Sequence, residues 1–252
     1  MREGPTPAEI GKRLGEAKLP RQVYYVLAES ACPYLPERRE RKLITEVGGN
    51  DAEHHYSLLS RAGFRRSHNF AYRPACAHCV SCVPVRIDAA RFEMSRSLRR
   101  VARLNGGLHA AEKPALATME QYELFNRYIG SRHGDGEMAG MTLCDYRGMV
   151  EHSRIDTRMT EFRDADARLV AACLVDWLDD GPSAVYSFFE PALAKRSPGT
   201  YVVLWLVEAA RTVGLPYVYL GYWIQDAPKM AYKTRFRPLE AFGPGGWRDV
   251  EG

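Results

Sequence analysis

The chain has 252 residues, 46% of them apolar and 26% charged, which excludes disorder as the main state and provides enough material for one large core or two modest ones. No apolar run approaches the roughly 20 residues that cross a bilayer, and the start Met1-Arg2-Glu3-Gly4-Pro5 lacks the apolar stretch of a signal peptide, so the expectation is a cytoplasmic protein with no membrane partner. The net charge of +4 sums two unlike halves: residues 1–105 carry 16 Arg and 3 Lys against 11 acids, and residues 106–252 carry 12 Arg and 4 Lys against 20 acids. Arginine offers a planar fork for carboxylate and phosphate, so its excess over lysine leans toward anion recognition, although a GC-rich genome produces the same bias.

In chain order, Gln22–Leu27 has the β-branched and aromatic content of a strand, and the prolines of Cys32-Pro33-Tyr34-Leu35-Pro36 require a loop. Asn50 with Glu53 predicts a capping box opening a helix that Gly63 closes. One strand is predicted from Phe64 to Arg73, followed by a compact loop from Pro74 to Pro84 that holds Cys76, Cys79 and Cys82. From Ser95 to Asn105 the apolar Met94, Leu98, Val101 and Leu104 recur at helical spacing, with Arg96, Arg99, Arg100 and Arg103 on the remaining surface, which predicts a basic amphipathic helix. Asn105-Gly106-Gly107 ends it. Because the charge changes sign there, it is the expected boundary between a basic, cysteine-containing region (1–105) and a second domain (106–252).

Thr118 and Gln121 predict a second capping box, on a helix whose inner face would be Tyr122, Phe125 and Ile129. Strands are predicted at Arg158–Arg163, Leu169–Trp177 and Ala184–Glu190, joined by short hairpin-like turns. Lys195-Arg196-Ser197-Pro198-Gly199-Thr200 then leads into a helix over Tyr201–Val213, with Ser197 as cap and Gly214 as stop. A strand at Tyr217–Tyr222, a short helix at Pro228–Thr234 and a strand at Arg237–Phe242 complete an α+β order: helices, an antiparallel meander, then a βαβ-like crossover.

Four groups of residues could carry chemistry. Cys76, Cys79 and Cys82 at two-residue spacing, with Cys32 as a fourth, suit zinc or an iron–sulfur cluster, or else are plain thiols. Cys144 and Cys173 fall on apolar faces and are expected in the core. The Lys195–Thr200 loop at a helix N-terminus is a ready anion site. Its context of strand, loop, helix and strand looks like the pyrophosphate-binding region of the GCN5-related acetyltransferases. Arg196 and Gly199 fit their R-x-x-G-x-G/A pattern, but Tyr201 takes the last place and would crowd coenzyme A. The C-terminal series Tyr217, Tyr219, Tyr222, Trp223, Lys229, Tyr232, Lys233, Arg235 and Arg237 interleaves rings and cations, which suits unpaired nucleotides; Lys229 and Lys233, four apart on one helical face, are expected as surface cations. Arg65, Arg66 and Arg73 could grip a carboxylate. Walker, dinucleotide, serine-hydrolase and zincin signatures are missing from the sequence.

Several of these stretches resemble the bacterial aspartate/glutamate leucyltransferases, relatives of the eukaryotic arginyl-tRNA–protein transferases. They are Cys32–Pro36, Gly63–Ser67, Tyr72–Cys76 with Cys79 and Cys82, FEMSRSLRR over 92–100, Leu193–Tyr201, Leu215–Ile224, and Lys229–Lys233 through Arg237–Glu240. The resemblance implies transfer of leucine from leucyl-tRNA to proteins or peptides beginning with Asp or Glu, marking them for degradation by the N-end rule, on an acetyltransferase-like (GNAT-like) mixed sheet with flanking helices. It implies no cofactor for the transfer itself. On that reading Arg65, Arg66 and Arg73 would bind the acidic N-terminal residue. Lys195, Arg196, Gly199, Thr200, Lys229, Lys233, Arg96, Arg99, Arg100 and Arg103 would hold the aminoacyl-tRNA, and Tyr222 or Tyr232 would orient groups or move a proton. Three alternatives stay open: an arginyl donor, a coenzyme A acetyltransferase, and a non-catalytic RNA-binding or redox-sensing module.

Overall fold

A computed structural model of the protein describes residues 22–132 and 137–250; the opening stretch Met1–Pro5 lies outside them. Fourteen strands and five α-helices are present among the described residues. The strands are β1 (Tyr24–Val26), β2 (Ser30–Ala31), β3 (Arg39–Glu40), β4 (Lys42–Glu46), β5 (Arg65–Ser67), β6 (Phe70–Pro74), β7 (Val83–Asp88), β8 (His109–Pro114), β9 (Thr157–Arg163), β10 (Leu169–Leu178), β11 (Gly181–Phe189), β12 (Tyr217–Trp223), β13 (Leu239–Gly243) and β14 (Gly246–Asp249). The helices are α1 (Ala52–Arg61), α2 (Arg96–Asn105), α3 (Met119–Arg132), α4 (Leu143–Glu151) and α5 (Pro198–Thr212), with 3-10 turns at Glu137–Gly140, Pro191–Arg196 and Pro228–Arg235.

Eight strands form one mixed sheet in the order β14-β13-β7-β12-β11-β10-β9-β8, and four form a small antiparallel sheet, β1-β4-β6-β5. The long run Leu169–Leu178 is apolar on both faces except at Asp176, because β10 is a central strand, covered by α3 on one side and α5 on the other. Its neighbours β9 and β11 pair with it antiparallel, and the α5 crossover then returns the chain parallel to β11 as β12. The large core takes residues from β7, β9–β12 and α2–α5. A second core holds Tyr56 and Leu59 of α1 against Val47, Ala71, Leu178 and Tyr219, and so seats the small sheet on the end of the large one.

Several local expectations change. The segment Phe64–Arg73 is a hairpin of two strands, because His68 takes a positive φ of 55° and turns the chain. Asn50 does not cap α1, which starts one residue beyond Asp51 with no side-chain cap. Ser197 is left-handed (φ 56°, ψ 56°), closing the preceding 3-10 turn and opening α5 without a side-chain bond to the cap. By contrast Ser95 caps α2 by accepting from the Leu98 amide, and Thr118 and Gln121 exchange the two bonds of a capping box. Strand β7 precedes Asn105 in the chain but lies between β13 and β12, so the large core draws on both sides of that point. No helix among the described residues is long and apolar enough to cross a membrane.

Candidate active site

Strands β11 and β12 meet at Ser183 opposite Tyr219, and their ladder goes no further. Each carries a bulge at this point: the β10–β11 register slips between Leu174 and Val175, and the β12–β7 register slips between Tyr219 and Gly221. Bulges bend and twist a strand locally, so the two edges part at a narrow cleft lined by Ser183, Tyr219, Gly221 and Arg65.

Arg65 enters this cleft from the small sheet. Its Nη2 donates to the carbonyls of Ala184 (3.1 Å) and Val185 (3.0 Å) on β11. On the opposite wall lies Gly221, with φ +72°, where any Cβ would overlap the Arg65 guanidinium. Lys233 is the second cation. It is 5% exposed and donates to the Tyr222 carbonyl. Burial, with the Arg65 charge adding to it, pulls its amine down to about 7. The expectation of a surface lysine sharing a face with Lys229 fails, because Pro228–Arg235 is a 3-10 turn. At three residues per turn, positions four apart diverge: Lys229 is exposed and donates to the Arg132 carbonyl at the end of α3 (3.0 Å).

The two tyrosines differ. Tyr222 is 3% exposed, with its hydroxyl 3.1 Å from the Gly63 carbonyl and 3.0 Å from that of Tyr72; burial holds it well above the phenol range. It ties β12 to the small sheet. Tyr232 is 37% exposed and packs edge-on against Phe236; burial of its hydroxyl pushes it up to about 12, while the charges of Arg65 and Arg132 act in the other direction.

Arg66 and Arg73 are engaged elsewhere. Arg66, 4% exposed, grips Asp176 through two parallel bonds (2.8 and 2.7 Å) and also donates to the His68 carbonyl (2.7 Å). Arg73 donates to the Ala62 carbonyl at 3.2 Å and lies over the Phe64 ring.

A second cationic locus runs along α2, whose Arg96, Arg99, Arg100 and Arg103 are all solvent-facing. At its C-terminal end Asn105 Nδ2 donates to the Arg196 carbonyl (2.8 Å), joining it to the loop with exposed Lys195 and Arg196. Near its start Arg235 approaches the Ser97 hydroxyl (3.5 Å). The cations that the sequence separates at Asn105 are thus brought onto one ridge. In the loop itself Thr200 is buried, and the Thr200 and Tyr201 amides both turn back to the Ser197 carbonyl, while Gly199 packs on Phe189.

Cys32, Cys76, Cys79 and Cys82 lie together: burial first, then the other three thiols, raise Cys82 to about 11. Arg38 donates to Cys79 Sγ and the Arg41 amide to Cys76 Sγ, both at 3.4 Å. Among the described residues no three His, Cys, Asp or Glu side chains are placed so as to hold one metal ion together. Cys173 is buried as expected, whereas Cys144 is exposed on α4.

The chain matches the family model for the N terminus of arginine-tRNA-protein transferase over residues 30–100 and that for its C terminus over 120–243. It is 57% identical over 225 residues to the aspartate/glutamate leucyltransferase of Paramagnetospirillum magneticum, covering 89% of this chain and 92% of that protein. This chain belongs to the aspartate/glutamate leucyltransferase family. Family members with the same name from Gluconacetobacter diazotrophicus (50% identity, 91% of this chain, 88% of that one) and Granulibacter bethesdensis (52%, 91% and 86%) match over similar lengths. Among solved structures, L-PGS from Bacillus licheniformis aligns at a TM-score of 0.45 and 12% identity over 70% of this chain and 51% of that one. FemX aligns at 0.43 and 11% over 88% and 68%. In the sequence Gly221 stands out only as part of a longer stretch; the signal that marks it is a glycine in the interior of an otherwise aromatic and β-branched strand.

Proposed function

We propose that the chain transfers leucine from leucyl-tRNA to the α-amino group of proteins and peptides that begin with Asp or Glu. The observation that carries this is near-full-length identity to several leucyltransferases, joined to a cationic cleft in the sheet and a basic ridge beside it.

An aminoacyl ester is already activated, so the protein's task is to bring the amine to the carbonyl carbon. The new C–N bond forms as the ester C–O bond breaks, the ribose hydroxyl leaves, and the amine loses a proton. Lys233, with an amine near 7, is part neutral at cellular pH and suits the relay of that proton toward the leaving hydroxyl. Tyr232, whose hydroxyl feels the charges of Arg65 and Arg132, orients the reacting groups. Tyr222 holds the frame through its two carbonyl partners. The ridge of Arg96, Arg99, Arg100, Arg103, Lys195 and Arg196 takes tRNA phosphates. Arg132, and Lys229 whose amine donates to the Arg132 carbonyl, supply positive charge for the acceptor's carboxylate. The scheme uses no cofactor, and the four clustered cysteines stand outside it. A GNAT-like architecture accounts for the split sheet, with RNA in place of coenzyme A.

Incubation with leucyl-tRNA and an Asp-initiated peptide tests the proposal: mass spectrometry is expected to find the peptide heavier by one leucine residue, at its N-terminus. A peptide unchanged by leucyl-tRNA, or acetylated from acetyl-coenzyme A without RNA, would overturn it.

A further inference from the structure

Arg65 and Arg66 are adjacent on β5, so their side chains leave opposite faces of the strand. Arg66 goes down into the bidentate pair with Asp176 and anchors β5 to the large sheet. That anchor drives Arg65 into the cleft. There it meets the two β11 carbonyls, Ala184 and Val185, that face the gap where the parallel ladder with β12 has stopped. Backbone carbonyls withdrawn from a ladder need replacement donors, and one fork nitrogen serves both. On the other wall Gly221 offers the flat, side-chain-free surface on which the guanidinium rests. The Tyr222 hydroxyl, reaching Gly63 in the turn before β5 and Tyr72 on β6, pins β12 to the segments beside Arg65.

We propose that Arg65, seated on Gly221, is the positioning residue that props β11 away from β12 and so forms the transfer cleft, and that it does not read the acceptor's carboxylate. The inference rests on the leucyl-transfer reading above. A bidentate grip on a substrate carboxylate would take one of the two Nη2 hydrogens away from its β11 carbonyl, and the cleft would lose part of its support as it was filled. Filling the floor under the guanidinium, with Gly221→Ala, should therefore reproduce the loss of Arg65 even though every charge is kept. Arg65→Lys should fail for the same reason, since an ammonium keeps the charge but lacks the planar fork.

The test compares Arg65→Lys, Arg65→Met and Gly221→Ala with the parent protein, using leucyl-tRNA and peptides that begin with Asp or with its neutral isostere Asn. The expected result is a fall in kcat of at least tenfold in all three, with the acceptor KM and the Asp-over-Asn preference within twofold of the parent. In Arg65→Met the acid limb of the pH–rate profile should also move to higher pH, as Lys233 loses a cationic neighbour, whereas Gly221→Ala, which keeps that charge, should leave the limb close to the parent's. A tenfold rise in acceptor KM with collapse of the Asp-over-Asn preference in Arg65→Met, while Gly221→Ala stays near the parent, would overturn the proposal and make Arg65 the carboxylate reader. Arg65→Lys is the mildest change and serves if the others do not fold; parental kcat in that variant would also overturn it. Absence of leucyl transfer in the parent would instead refute the functional reading.

Discussion

Lys233→Met should stabilise the protein at neutral pH while removing its activity. The gap between a free lysine at 10.5 and the buried amine at about 7 corresponds to about 5 kcal/mol at ~1.4 kcal/mol per tenfold change in proton affinity. The folded state pays this to hold the ammonium. Between these two values the unfolded chain keeps the proton and the folded chain releases it, so stability from this group rises with pH. The penalty is complete below about 7 and vanishes above 10.5. Methionine removes the penalty and also the bond to the Tyr222 carbonyl, a loss of about 1 kcal/mol. The variant should therefore be more stable by about 3–4 kcal/mol at pH 7, and the advantage should shrink steadily toward pH 10. Urea unfolding of both proteins at pH 7, 8, 9 and 10 measures the difference. A variant less stable than the parent at pH 7, or a difference that does not change with pH, would refute the buried-lysine argument. In the transfer assay the same variant should lose about 100-fold or more in kcat if Lys233 moves the proton.

Arg66→Met leaves Asp176 charged and buried, and should cost about 3–5 kcal/mol in urea unfolding, whereas Arg66→Met with Asp176→Leu should recover most of it; equal instability of single and double variants would contradict the pairing. Each of Arg96→Gln, Arg99→Gln, Arg100→Gln and Arg103→Gln should reduce the slope of log K against log salt for tRNA by about one or less, the share of a single neutralised phosphate, with no effect on the preference among acceptor peptides; a slope unchanged in all four would take tRNA off this ridge. Alkylation followed by mass spectrometry should modify exposed Cys144, and Cys79, whose thiol Ser81 and Arg38 hold below the ordinary range, before Cys82 and buried Cys173. Early labelling of Cys82 would contradict the described thiol environments.

Elements whose signals are local were legible in the sequence. Ser95 and the Thr118–Gln121 pair mark helix starts because capping involves residues three apart, and the 169–189 hairpin declares itself through two apolar runs around a tight turn. What was not legible depends on pairing across the chain. Strand β7 begins inside the predicted cysteine loop, at Val83 and Pro84, and its remaining residues 85–88 carry no predicted element until β12 and β13 take it into the large sheet. Arg66 looks like a surface arginine until Asp176, 110 residues away, meets it. Helical spacing for Lys229 and Lys233 misled because a 3-10 turn has a different period, and nothing local shows that Lys233 ends under Tyr222. The charge asymmetry about Asn105 was real in sequence, yet folding sets Arg196 and Arg235 against the two ends of α2. Nothing in the sequence separates Arg65 from Arg66 and Arg73, with which it was grouped, because the cleft it occupies exists only once β11 and β12 part.

Leucyl transfer to an acidic N-terminus is tested most directly by a side-by-side assay with leucyl-tRNA and arginyl-tRNA, each labelled in the amino acid, and one Asp-initiated peptide. The predicted result is label in the peptide from leucyl-tRNA, lost when the peptide begins with Asn. Label from arginyl-tRNA alone, or from neither donor, would contradict it.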